Sequence, residues 1–316
     1  MTSQVISMGA HIADALGWPF TSVPPGQRLE FMEQIKFTVA GTAAAPAVNL
    51  AKLGVEVGAV GRIGNDTIGD FVRSTMNSYG VNTDNLVVDA RRQTSASLLP
   101  IRRDGSRPAL HVIGANAGLT ETDVPWSIVE KAQIFHLGGA FILPGLDGAP
   151  MGRVLKRVKE LGLTVTMDFL MSPRDDAQRV IGPSLRYVDY LMPNIEEAGW
   201  LVGTEDRQEI IEWLHTQGVG HTLLTMGGGG VSVAANGDKE TVLPAYDISV
   251  VDTTGCGDAF SAGLISGLLD GLDVMGAAER GLACGSLVAT GLGSDAGIVD
   301  RNQVAKFQQT QARLAA

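Results

Sequence analysis

The segment Val250-Val251-Asp252-Thr253-Thr254-Gly255-Cys256-Gly257-Asp258-Ala259-Phe260 sets a glycine-rich turn directly before a carboxylate that can open a helix. Gly255 and Gly257 let the backbone bend tightly enough for successive N–H groups to point at one anion. A helix over Ala259 to Leu269 would add its positive dipole end. Asp258 stands beside that anion site and can accept the proton of an attacking hydroxyl. Residues of these types at this spacing suit phosphoryl transfer from ATP to an alcohol. The alternative is a glycine loop that only caps a buried helix.

Other segments could serve the same chemistry. Asn194-Ile195-Glu196-Glu197 follows an apolar strand, and its first and last residues have the spacing of a helix capping box. A magnesium ion needs oxygen ligands and retained waters, so one carboxylate together with ATP phosphates would suffice. Thr225-Met226-Gly227-Gly228-Gly229-Gly230 ends another apolar strand, where four glycines either admit an anion to the backbone or simply turn the chain. No Gly-x-x-x-x-Gly-Lys-Ser/Thr occurs, which removes the P-loop route to ATP. Gly9-Ala10-His11-Ile12-Ala13-Asp14 places a carboxylate after the first strand, able to accept from two hydroxyls or to start a turn.

The elements that must position these residues alternate. Val5 to Met8, Val55 to Val60, Ile134 to Leu137, Leu163 to Met167, Tyr190 to Met192 and Thr222 to Met226 read as strands. Pro46 to Leu53, Ile68 to Tyr79, Met151 to Leu161 and Arg207 to Gln217 read as helices, each stopped by a glycine. Such β/α alternation is solved by a mostly parallel sheet with helices on both faces. Phe31 to Val39, Ser95 to Ile101 and Pro108 to Ile113 break the rhythm with strand-like runs, the last two flanking an Asp104-Gly105 turn. They predict a small antiparallel sheet projecting from the main body.

Composition narrows the class. With 316 residues, 45% hydrophobic and 18% charged, the chain is long enough for one large α/β core. A net charge of −10 and a pI near 5.0 argue against a nucleic-acid or anionic-membrane surface. Cys256 and Cys284 are the only cysteines, and neither they nor the five histidines show a metal-ligand spacing. Neither a signal-peptide pattern nor an apolar run of membrane-spanning length is visible, so a cytoplasmic protein is expected.

Asp252-Thr-Thr-Gly-Cys-Gly-Asp258 resembles the C-terminal signature of the ribokinase-like (PfkB) carbohydrate kinases, usually Asp-Thr-Thr-Gly-Ala-Gly-Asp, with Cys256 in the alanine's place. Asn194-x-x-Glu197, Thr225-x-Gly227-x-x-Gly230, Gly9-x-x-x-x-Asp14 and Gly61-x-x-Gly-x-Asp66-x-x-Gly69 resemble further family segments in the family's order. Ala40-Gly41-Thr42-Ala43-Ala44-Ala45 through Leu53-Gly54 is similar to the N-terminal signature, with Ala40 for its first glycine and Ala45 for its asparagine. The resemblance covers nearly the whole chain. It implies a ribokinase-like α/β fold: one kinase domain over 1–316 with a β lid from approximately 18–40 and 92–117 that often pairs two subunits into a homodimer.

What the resemblance implies for the site is an ATP- and Mg²⁺-dependent sugar kinase. Asp258 would be the base, with Gly255, Cys256 and Gly257 as anion hole. Asn194, Thr225, Gly227, Gly230 and the region of Cys284 would face the nucleotide, and Glu197 the Mg²⁺ ion, directly or through water. Asp252 and Thr254 match the positions that hold K⁺ in potassium-dependent relatives. Asp14, Gly41, Ile12 and Ala45 would contact the acceptor. Ile12 and Ala45 replace amides of the ribokinase type, which predicts poor binding of free ribose and an acceptor with an apolar, deoxy or base-like portion, unless Asn49 supplies the missing amide. Cys256 reads as a small filler, His11 as structural or a lid contact, and His136 as core. A nucleoside kinase of the same fold and a catalytically silent sugar- or nucleotide-binding regulator are the rivals. A nicotinamide oxidoreductase ranks last, because no Gly-x-Gly-x-x-Gly follows the first strand.

Overall fold

The computed structural model describes residues 3–172 and 174–314. In chain order the strands are β1 (Val5–Gly9), β2 (Ile12–Trp18), β3 (Gln34–Ala40), β4 (Val57–Gly64), β5 (Asn82–Asp89), β6 (Ala96–Pro100), β7 (Leu110–Val112), β8 (Ile134–Ala140), β9 (Thr164–Phe169), β10 (Tyr190–Leu191), β11 (His221–Thr225), β12 (Val231–Ala235) and β13 (Thr241–Leu243). The helices are α1 (Ala44–Lys52), α2 (Thr67–Ser78), α3 (Trp126–Val129), α4 (Ala149–Glu160), α5 (Ala177–Leu185), α6 (Ile195–Val202), α7 (Arg207–Thr216), α8 (Cys256–Leu269), α9 (Val274–Ala289) and α10 (Arg301–Thr310).

Nine strands form the main sheet in the order β13-β12-β11-β10-β9-β8-β1-β4-β5, parallel except where β12 and β13 return antiparallel at one edge. β1 and β8 are buried along their whole length, as strands covered by helices on both faces must be. From β1 the chain runs outward through β4 to β5, then crosses back to β8 and proceeds the other way. Ligands of doubly wound sheets sit outside the carboxyl ends of the strands at such a reversal. The edge strand β5 has no counterpart in the sequence reading; its mixed burial reflects an edge position rather than a continuous apolar run. The Asp66 carboxylate caps α2 by accepting from Gly69 N at 2.8 Å, as the cap reading of that segment expects.

A second sheet, in the order β3-β2-β6-β7, stands off the main one. The pairs β3/β2 and β6/β7 are antiparallel, but β2 and β6 run parallel, so the lid is mixed at its centre. It also begins at Ile12, upstream of the expected boundary near 18, because β2 is the strand that joins both outer pairs. Two-residue alternation gives the sheet two distinct faces. Asp14, Ser97 and His111 lie across from one another on the face toward the body, whereas Ala15, Phe37, Leu98 and Leu110 share the other.

Candidate active site

Gly255 caps α8 in the left-handed region at φ 77°, and a Cβ there would stand 2.4 Å from Ser294 Cβ. Only glycine therefore fits between this turn and the 291–297 loop. The Asp252 carboxylate ties the two together: Oδ1 accepts from Thr254 N at 2.9 Å and Thr254 Oγ1 at 2.7 Å, and Oδ2 accepts from Gly293 N at 2.8 Å. Gly257 differs from Gly255, because a Cβ added to it would meet nothing within 4 Å. The Cys256 amide donates to Thr253 O at 3.3 Å, which leaves the amides of Gly257 and Asp258 as the first-turn donors of α8 without a backbone partner.

Asp258 lies in the first turn of α8, half-buried as a residue, with its Oδ1 out of reach of solvent and lacking any hydrogen-bond partner among the described residues. Burial pushes its carboxyl up to about 7, opposed by Arg107 and reinforced by Asp14. Glu197 is likewise pushed up to about 7, first by burial and then by Asp258, against the amide of Asn194. Asp168, near the end of β9, is raised well above the carboxylate range by burial and by the charges of Glu197 and Asp258. Three carboxyl groups from β9, α6 and α8 thus share one poorly solvated space. Asn194 and Glu197 form the full capping box, Glu197 N donating to Asn194 Oδ1 at 2.8 Å and Asn194 N to Glu197 Oε2 at 3.1 Å. The cap and the acidic cluster are the same residue, so the two readings of this segment coexist.

On the acceptor side, Asp14 is pushed up to about 6 by burial, with a hydrogen bond from Ser97 and the charge of Arg107 opposing. Ser97 Oγ also lies 3.1 Å from His111 Nδ1. Gly41, at φ 94°, brings its backbone so close to Ala10 that a Cβ would stand 2.5 Å from Ala10 O. The same Cβ would meet Ile12 Cγ1 at 3.0 Å, and Ile12 and Ala45 are only 6% and 1% exposed. Their apolar side chains are thus absorbed by packing and offer little surface to an acceptor. Asn49 Nδ2 donates to Ser294 O at 3.2 Å and so holds the 291–297 loop, while its Oδ1 is buried with no hydrogen-bond partner among the described residues.

On the other side of α8, a cavity of about 270 Å³ is lined by Thr225, Gly227, Gly230, Gly257 and Ser286. Cys284 is not in its wall. That side chain is fully buried between α8 and α9, against Gly263, and it is Gly285 and Ser286 that face the cavity. Burial pushes the Cys256 thiol up to about 12, which keeps it a protonated filler rather than a reactive thiolate. His11 and His136 are buried and each lowered to about 4 by burial; His136 bridges Thr166 Oγ1 and Thr42 O. Ser97, Arg107, His111 and Asp168 escaped the sequence reading. Only the alternation around Asp104-Gly105 could have put Ser97, Arg107 and His111 on one face.

The family profile of the pfkB family carbohydrate kinases matches residues 20–301. A 2-dehydro-3-deoxygluconokinase of Bacillus subtilis is 27% identical over 285 residues, covering 86% of this chain and 87% of that protein. A ribokinase of Haemophilus influenzae is 26% identical over 288 residues, covering 90% and 91%. The solved Arabidopsis thaliana ribokinase, complexed with ribose and ATP, superposes with a TM-score of 0.83 at 25% identity, covering 98% of this chain and 99% of that one. Fold, crevice and relatives together define a phosphotransferase that acts on an alcohol group. The chain belongs to the pfkB family of carbohydrate kinases and is a sugar kinase.

Proposed function

We propose that this kinase transfers the γ-phosphoryl group of ATP to a primary hydroxyl of a sugar or sugar-like alcohol held beneath the β2/β3/β6/β7 lid. The observation that carries the reading is Asp258: a buried carboxyl with one orphaned oxygen, at the mouth of a helix whose Gly257 and Asp258 amides lack a backbone partner. A pKa of about 7 suits a general base at neutral pH. Asp258 takes the hydroxyl proton as the acceptor oxygen forms its bond to the γ-phosphorus, and the bond to the β-phosphate bridging oxygen breaks to release ADP. The amides of Gly257 and Asp258, with that of Cys256 once it turns from Thr253 O, receive the charge on the phosphoryl oxygens. Asp14, steadied by Ser97, orients the acceptor hydroxyls, and Thr225 to Gly230 with Gly285 and Ser286 receive the nucleotide.

Glu197, whose carboxyl feels the charge of Asp258, would be the side chain to meet a hard divalent cation, directly or through water. Among the described residues no group of three or more His, Cys, Asp or Glu is set to hold a metal ion by itself. Bound there, the ion neutralises charge on the phosphates. A monovalent cation beside Asp252 and Thr254 would bear on the anion loop through the bonds to Gly293. The reading takes the chain as one kinase domain acting in the cytoplasm on a small acceptor, with neither a membrane nor a nucleic acid as partner. No helix among the described residues is long and apolar enough to cross a membrane.

The lid's outer face supports a homodimer. Phe37, Leu98, Leu110 and Val112 are 62%, 59%, 66% and 49% exposed on one side of a small sheet, more apolar surface than a lone lid would leave in water. Leu98→Glu combined with Leu110→Glu is expected to shift the protein from dimer to monomer in sedimentation equilibrium; an unchanged mass would discard the lid as interface. The function itself is tested by ATP-Mg²⁺ phosphotransfer across free sugars, sugar acids, sugar phosphates and nucleosides, with ADP and the phosphorylated acceptor formed in equal amounts. Turnover of no carbohydrate in that panel would overturn the reading.

A further inference from the structure

Residues 311–314 follow α10 and turn back onto the nucleotide cavity. Ala312, Arg313 and Leu314 run antiparallel to the stretch after β13: Asp247 N donates to Ala312 O at 2.9 Å, Leu314 N donates to Ala245 O at 2.8 Å, and Tyr246 pairs with Arg313 between them. Arg313 clamps this pairing with its side chain. Its guanidinium lies 3.8 Å from the centroid of the Tyr246 ring, Nη1 donates to Pro244 O at 2.8 Å, and Nη2 reaches Glu279 Oε1 of α9 at 3.4 Å. Tyr246 is held in turn by Phe307 of α10, with ring centroids 4.8 Å apart. Leu314, at the end of the segment, is part of the wall of the cavity of about 270 Å³ that also takes in Thr225, Gly227 and Gly257. The segment lies past residue 301, where the match to the family profile ends.

α9 shows which end of the cavity the segment closes. Val251 N donates to Ala289 O at 2.8 Å, and a Cβ on Gly285 would stand 3.0 Å from Cys256 O, so the last turns of α9 lie against the anion loop. Glu279, where Arg313 lands, is six residues before Gly285 on the same helix. At ~1.5 Å per residue that is ~9 Å farther from the loop. A nucleotide whose γ-phosphate sits at the mouth of α8 therefore fills the cavity away from that loop, and its base meets the wall to which Leu282 and Leu314 belong. Leu314 is 39% exposed, an apolar side chain left open although its amide is bonded and the arginine before it is clamped. A planar base laid on it would take that surface out of water.

We propose that Leu314 is a nucleotide-binding residue, the outer wall of the base subsite, held in place by the clamp of Arg313 on Tyr246. This deepens the kinase reading above and rests on it. The contact is apolar and non-directional, so it contributes affinity for the nucleoside portion of ATP and ADP and none for their phosphates.

Leu314→Ala and Leu314→Met test it in the full-length protein, by calorimetric titration with MgADP and with magnesium tripolyphosphate, which carries the phosphates and no base. Leu314→Ala should raise the Kd for MgADP by about 3–10-fold, as expected for losing part of a leucine's burial. Leu314→Met should stay within about twofold of wild type, and tripolyphosphate should bind all three proteins alike. With an acceptor that is turned over, the KM for ATP of Leu314→Ala should rise in step while kcat stays within about twofold. If wild type binds MgADP and Leu314→Ala binds it equally well, the proposal is overturned and the kinase reading stands. An equal loss for tripolyphosphate and MgADP would also overturn it, because the damage would then lie in the phosphate subsite. A wild type that does not bind MgADP would sink the kinase reading and this inference together.

Discussion

Replacing Asp258 by asparagine keeps the size of the side chain and removes its charge, and the structure gives opposite signs for the effects on turnover and on stability. The carboxyl is buried and raised from 3.8 to about 7. In the folded enzyme it therefore keeps its proton to near neutrality, whereas the unfolded chain releases it near pH 4. As pH rises from about 4 to about 7, wild type loses stability through this group, and above 7 the full cost is present. At ~1.4 kcal/mol per factor of ten, the ceiling is ~4 kcal/mol, and local relaxation brings the expectation to about 2–4 kcal/mol. The amide of Asp258→Asn cannot ionise, and it also relieves Glu197 and Asp168, both of which Asp258 pushes upward. The variant should melt about 3–6 °C above wild type at pH 8 and above it by roughly a third of that margin at pH 5. Phosphotransfer should fall by about 10²–10⁴-fold, with nucleotide binding retained because the backbone amides remain. Thermal unfolding from pH 5 to 9, paired with rate measurements, decides it. A melting difference that is the same at pH 5 and pH 8 would refute the buried-base argument, and wild-type turnover would remove Asp258 from the chemistry.

Glu197→Gln keeps the cap geometry but weakens the donor set, so the Mg²⁺ concentration for half-maximal rate should rise and turnover fall; an unchanged magnesium titration would leave Glu197 as a cap alone. Gly257→Ala should melt like wild type, since its Cβ meets nothing in the chain, yet lose about tenfold or more in rate by crowding the phosphoryl site. Gly255→Ala, strained at φ 77° and pressed onto Ser294, should lose stability as well; equal melting of both variants would contradict the distinction. Exchanging K⁺ for a bulky organic cation at constant ionic strength should lower activity through the Asp252–Gly293 link, and equal rates would eliminate a required cation.

Much of this protein was legible in its sequence because the relevant physics is local. Glycines after apolar runs stop helices, alternating residues mark lid strands, and Asp66 and Asn194 announce caps by their spacing. The Asp252 to Asp258 segment likewise carries its own geometry, since a left-handed turn, a helix end and a carboxylate are neighbours in the chain. Other features depended on distant partners. Cys284 and Gly285 are adjacent, but each helical residue turns ~100° from the last, and only the position of α8 decides which one faces the cavity. Asn49 lies one turn beyond Ala45, yet its amide goes to Ser294, 245 residues away. Asp168 gains its raised pKa from burial and then from the charges of Glu197 and Asp258, beside which β9 delivers it. The sequence by itself determined most of the elements, though not the edge strand β5, together with the anion loop and the class of chemistry, because these follow from nearest neighbours along the chain. The tertiary structure decided which charges share a dry space and which side chains face it, because burial and Coulomb interaction depend on distance in space rather than on separation in sequence.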